Sequence, residues 1–189
     1  LVGNSLLVSI GQPELIYMIL VMLISKELGP LLVGFVVTAR SATAIATEIG
    51  GMVTSNQIES YVSFRIDPIA HLAAPRFIGV TLSVFLLNLY FSFCGLIGPF
   101  LVGKIVDPVG SANYFNLLLN ELSISTILIS TAKSFIFGMF IALVSTYAGF
   151  KVNRASTEIP VAGIQAVGNS ILLVILADVL FIILPVRLG

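Results

Sequence analysis

The sequence predicts an all-α integral membrane protein: a bundle of four full transmembrane helices, the end of a preceding one, and a short helix at the cytoplasmic surface. Three observations carry that reading. Hydrophobic residues make up 58% of the chain and charged residues 10%, against roughly 45–50% and 25% in a soluble domain. Four stretches reach the ~20 apolar residues that a spanning helix needs. None of them alternates with the period of two that a membrane barrel requires.

The four stretches are 13–39, 77–102, 124–150 and 164–186. Pro13 suits a helix start, where its missing N–H would go unused anyway. All four are apolar around most of their circumference, as buried or lipid-facing helices are. Before them, residues 1–10 are apolar but too short to span, and no basic stretch precedes them as in a signal peptide. They read as the tail of a helix whose beginning is missing, so 1–189 is one transmembrane domain, incomplete at its N-terminus. Loop charges set the orientation. Loop 40–76 carries Arg40, Arg65 and Arg76, and loop 151–160 carries Lys151 and Arg154, whereas 103–123 carries Lys104 alone. The first two are expected in the cytoplasm and the third outside.

Loop 40–76 has structure of its own. Thr54-Ser55-Asn56-Gln57 has the form of a capping box, in which Thr54 and Gln57 satisfy each other's exposed N–H groups. Ile58, Tyr61, Val62, Arg65 and Ile66 then recur at helical spacing. The expectation is a short amphipathic surface helix, ended by Asp67-Pro68 because a residue before proline avoids the helical region. In the outer loop, the turn Asp107-Pro108-Val109-Gly110 precedes Phe115, Leu118, Leu119 and Leu122, a pattern for a short interfacial helix.

Function is signalled by charge inside apolar surroundings. Lys26 and Glu27 stand side by side within the first span. An ionised side chain at the bilayer centre costs between about 2.5 and well over 10 kcal/mol, so it persists only when paired, hydrated or used. Gly29-Pro30 follows at once. Proline removes a backbone hydrogen bond and forces the helix to kink or open, which is tolerated at depth only in protein or along a cavity. A cavity wall is expected at Lys26–Pro30. Counting the helical rise, Glu27 lies ~18 Å into its helix, Lys133 ~14 Å and Asp178 ~12 Å from the outer ends of theirs. Opposite charges at similar depth can neutralise one another. The alternative is a set of structural ion pairs that fix helix register. Two rows of small residues, Ala42, Ala46, Gly50 and Ala162, Ala166, Ser170, allow close helix approach. The first overlaps Arg40 and Glu48, whose charges such an approach would bury.

Other classes are disfavoured. Nine basic and nine acidic residues cancel, leaving no basic surplus for nucleic acid. The single Cys94 excludes an intrachain disulfide or cysteine metal cluster. There is no G-x-x-x-x-G-K-[ST] phosphate loop, H-E-x-x-H or G-x-S-x-G, so no catalytic residue, metal site or cofactor is expected in this chain. His71 reads as an interfacial residue.

Taken in order, Lys26–Pro30 (KELGP), Ala39-Arg40, Thr47–Met52 (TEIGGM), Ser55–Ile58 (SNQI), Asp67-Pro68 and Ala74–Arg76 (APR) resemble the signature of the MlaE/YrbE family, the permease subunits of MCE-type ABC transporters for phospholipids and related lipids. The likeness extends to Lys133 and to the stretch 163–170. Lys26, Ala39, Thr47 and Asn56 stand where the family usually has arginine, glycine, alanine and glutamate. The resemblance implies a homodimer of permeases in the bacterial inner membrane, or alternatively the plastid inner envelope. It implies cytoplasmic ABC ATPase subunits that bind ATP and Mg, and an outer MCE-domain protein as lipid conduit. It places Lys26, Glu27 and Lys133 at or near the lipid cavity, to which the proline kink adds Gly29 and Pro30 and the depth count adds Asp178. It places Arg40, Glu48, Gly50, Met52, Gln57, Ile58, Glu59 and Tyr61 at the ATPase contact, with the surface helix as coupling helix. Cationic side chains there would meet a phosphate while apolar walls take acyl chains. An ion-coupled secondary transporter would also use mid-membrane charges, but it calls for matching broken segments in two halves, a pattern this chain does not have. A structural subunit of a membrane assembly is the third reading.

Overall fold

The computed structural model describes residues 27–106, 124–153 and 155–188, and these are helices and turns with no strand among them. Four helical stretches are long and apolar enough to cross a membrane: Gly29–Thr54, Ile69–Gly98, Ile127–Phe150 and Ser156–Ile183. The first consists of α1 (Gly29–Val37), a π-helical turn (Thr38–Ala42) and α2 (Thr43–Thr54). Then come the short α3 (Gln57–Ser63), a second π-helical turn (Ile69–Ala73) and α4 (Ala74–Val106). The long α5 (Ile124–Phe150) is followed by a 3₁₀ turn (Ser156–Glu158) and α6 (Ile159–Leu188).

Several boundaries differ from expectation, and each has a physical cause. The first span does not end at residue 39: helix continues to Thr54, so Arg40 and Glu48 lie on helix rather than in a loop. Alanine and arginine are good helix formers, and the Thr43 hydroxyl donates to the Ala39 carbonyl at 3.1 Å within the π turn. Helices α4 and α6 begin earlier than their apolar runs. Pro160 stands in the first turn of α6, and Pro75 follows directly on the π-helical turn Ile69–Ala73, where the regular hydrogen-bond ladder is already interrupted. The surface helix also forms differently. No side chain caps its start; Asn56 instead adopts a left-handed φ of 57°, while the Thr54 hydroxyl donates back to Gly51 O at 3.0 Å. The expected capping box is therefore absent, because Thr54 still belongs to the preceding helix. The end comes at Arg65, φ 59°, not at Asp67-Pro68. Arg65 N–H donates to Val62 O and Ile66 N–H to Tyr61 O, both at 2.9 Å, which is the Schellman closure. Asp67 Oδ1 serves the next helix by accepting from Ile69 N–H at 2.9 Å. Residues 13–26, the turn at 107–110 and the apolar pattern at 115–122 lie outside the described residues.

The chain divides into two compact units, Leu1–Pro30 with Asn88–Ala132 and Leu31–Leu87 with Lys133–Gly189. In the second, the two small-residue rows pack as a seam. Ala42, Ala46 and Gly50 are buried, and so are Ala162, Ala166 and Ser170. A Cβ on Gly163 would lie 3.1 and 3.2 Å from the Thr47 and Thr43 methyls, and one on Gly50 would lie 3.0 Å from Val152. Tighter still, a Cβ on Gly149 would sit 2.7 Å from Ile49 Cβ, and one on Gly138 2.8 Å from Thr81 Cα. Glycine at these two positions sets how near α5 comes to α2 and α4. Arg40 and Glu48 face away from the seam and stay exposed, contrary to the expected burial. They stand two residues from the row Ala42–Ala46–Gly50, which places them on the other side of the helix. In the first unit, buried Asn88 of α4 donates to Ser130 of α5, Nδ2 to Oγ at 3.1 Å.

Candidate functional site

Among the described residues, the second unit holds one ion pair sealed in its core. Lys133 Nζ lies 3.1 Å from Asp178 Oδ1, with side-chain exposures of 2% and 8%. The sequence context explains how both charges are placed. Lys133 is followed on α5 by Ser134, Phe137 and Ile141, all fully buried, and Asp178 lies one turn beyond buried Val174 on α6. Gly34 of α1 lets Phe137 and Val174 approach, its would-be Cβ lying 3.5 Å from each. An ammonium and a carboxylate so enclosed must neutralise each other, since either alone would carry a large desolvation penalty. Depth counting expected opposite charges at a similar level without assigning partners; these two pair, packed shut rather than lining open space.

The other members of the expected cavity set are separated from this pair in the chain's division. Lys26 lies outside the described residues. Glu27 is partly exposed and belongs to the first unit. The helix opening expected from Pro30 takes the form of π-helical geometry at Glu27-Leu28, after which Gly29 and Pro30 are buried. Two buried hydroxyls, Thr38 Oγ1 and Ser170 Oγ, have no hydrogen-bond partner among the described residues.

Residues expected at the ATPase contact fall into two groups. Gln57, Ile58, Glu59 and Tyr61 are on α3, where no residue is buried. Arg40, Glu48, Gly50 and Met52 are on the long first span. Arg40 lies ~21 Å of helix before Thr54, and Gly50 is packed inside the seam. Two contacts tie these parts to the foot of α4. Glu48 Oε1 is 2.7 Å from Arg76 Nη2, and the same guanidinium donates to Leu72 O at 2.9 Å. The Tyr61 and His71 rings meet at 5.5 Å between centroids, tilted by 46°.

Sequence reasoning missed Arg76 as the partner of Glu48, and Asn88 with Ser130. The second had a usable signal, because an amide inside an apolar helix must find a partner across a helix interface.

Long apolar helices, closely packed small residues and an ion pair buried among them define a polytopic α-helical membrane protein. A family model described as Permease MlaE matches residues 1–184. A probable ABC transporter permease of Rickettsia conorii is 30% identical over 162 residues, 86% of this chain and 62% of that protein. The Haemophilus influenzae intermembrane phospholipid transport system permease protein MlaE is 28% identical over 165 residues, 87% of this chain and 62% of its own. The chain belongs to the MlaE permease family, and it is an integral membrane protein of the bacterial inner membrane. It spans about three fifths of the length of the curated relatives it matches.

Proposed function

We propose that the chain is the membrane subunit of an ATP-driven transporter that moves phospholipids or related lipids between the bilayer and an outer MCE-domain partner. It works as a homodimer, with cytoplasmic ATPase subunits supplying the energy. The carrying observation is the Lys133–Asp178 pair, 3.1 Å apart and sealed in apolar surroundings. A lysine so enclosed can exchange its carboxylate partner for a lipid phosphate when the helices part, and the site then stays charge-balanced. The closed pair is the resting form of that exchange. Glu27, in the π-helical geometry at Glu27-Leu28, is a further lipid-handling residue on this reading. The exposed α3 is the element the ATPase grips. The Tyr61–His71 and Glu48–Arg76 contacts pass its displacement to α4 and α2.

Burial of the pair also suits a purely structural role, and one experiment separates the two. The doubly substituted Lys133→Met/Asp178→Leu permease is reconstituted with its ATPase, and lipid transfer is measured. Lost transfer with intact assembly supports lipid handling; normal transfer overturns it. Mass spectrometry of lipids co-purified with the assembly identifies the cargo, and absence of an ATPase from that assembly would overturn the ATP-driven reading.

A further inference from the structure

A pocket of about 290 Å³ opens where α5 turns into α6. Its floor is apolar, made by Ala148, Val152 and Ala162, and its polar rim is Lys151, Asn153, Glu158 and Gln165. The rim is held in shape. Glu158 Oε2 accepts from Asn153 N–H at 2.9 Å, and Oε1 accepts from Asn153 Nδ2 at 3.3 Å. Each carboxylate oxygen retains further acceptor capacity. Lys151 Nζ stands 5.9 Å from the centroid of the Tyr147 ring. Opposite charges thus flank one small cavity without forming an ion pair with each other, the span from Ser156 being one that can cross a membrane.

We infer that this pocket binds the headgroup of a phospholipid that carries both a phosphate and a primary ammonium, the phosphoethanolamine class. Lys151 takes the phosphate, while Glu158 and the Gln165 amide oxygen take the ammonium. A purely anionic headgroup would meet the Glu158 carboxylate, and a purely cationic one would meet Lys151, so the rim selects a zwitterion. The flank beside the pocket fixes the source of the ligand as a lipid. Tyr147, Val161 and Ile164 are 64%, 48% and 74% exposed, an apolar surface leading from the rim along both helices, where acyl chains would lie. The site is separate from the Lys133–Asp178 pair, and it stands whether or not the chain transports lipid.

The test is lipid retention by the purified permease, read by mass spectrometry after exchange into an equimolar mixture of phosphatidylethanolamine and phosphatidylglycerol. The wild type is expected to retain the ethanolamine lipid selectively. Lys151→Gln, at an exposed position, should lower that retention about tenfold, the loss of one charge-assisted hydrogen bond. Glu158→Gln should shift preference toward phosphatidylglycerol. Equal retention of both lipids by the wild type, or no change in Lys151→Gln, overturns the assignment. Displacement of the lipid by an equal concentration of soluble O-phosphoethanolamine overturns the lipid source. Loss of the ATPase from Lys151→Gln with lipid preference intact overturns it in favour of a protein contact. Retention is measured without transport, so a permease that moves no lipid leaves this result readable.

Discussion

Lys133 shows how much a single side chain can reveal. Its side chain is 2% exposed and meets a carboxylate, so removing either charge takes a buried partner from the other. Lys133→Met or Asp178→Asn should each destabilise the folded protein by about 3–5 kcal/mol, and the double apolar replacement should recover most of the loss. Thermal unfolding in detergent measures both. Transport should fail in all three variants if the pair exchanges partners with lipid. Glu27→Gln provides a separate check: protein levels should stay normal while lipid transfer falls, and unchanged transfer would remove Glu27 from the path.

At the scale of elements, close approach is set by glycines rather than by large apolar residues. Gly149→Ala would push a methyl to 2.7 Å from Ile49 Cβ and 3.0 Å from Ala46 O, and overpacking of this kind costs about 1–3 kcal/mol. Gly168→Ala meets nothing within 4 Å and should be neutral or slightly stabilising, as the melting temperatures of the two variants would show. Glu48→Arg should break the 2.7 Å contact with Arg76 and uncouple ATP hydrolysis from transport. Adding Arg76→Glu should restore coupling, as paired ATPase and transfer assays would report. The apolar runs and the two small rows were legible in the sequence because burial in lipid or against a close helix demands those residue types. Helix α5 runs over Ile124–Phe150, the expected 124–150, a mainly apolar stretch interrupted by Lys133 and by serine and threonine hydroxyls. The continuation through Arg40 was not legible, since a charge that faces away from a seam reads in one dimension like the edge of a loop. Nor was the left-handed turn at Asn56, where the S/T-x-x-Q spacing pointed to a cap that the geometry does not use.

For the whole molecule, the depth of Lys133 and Asp178 could be counted from helical rise, but which of the opposite charges would pair could not. Nor could their sealing, because it depends on Phe137, Val174 and Gly34 arriving from separate helices. The assembly reading predicts that Glu59→Lys on exposed α3 leaves the permease folded but raises ATP hydrolysis without lipid transfer. Normal stoichiometric coupling in that variant would remove α3 from the contact.

The surface helix α3 is bracketed by two residues, Asn56 and Arg65, held at φ 57° and 59°. L-residues enter that region at a cost of roughly 1–2 kcal/mol, so the chain bends sharply at two fixed points and stays stiff between them. A push on such a segment swings it like a crank on two pivots instead of compressing it. Torque, rather than thrust, would then reach the base of α4, and cross-linking across either pivot should stall the stroke while leaving every helix intact.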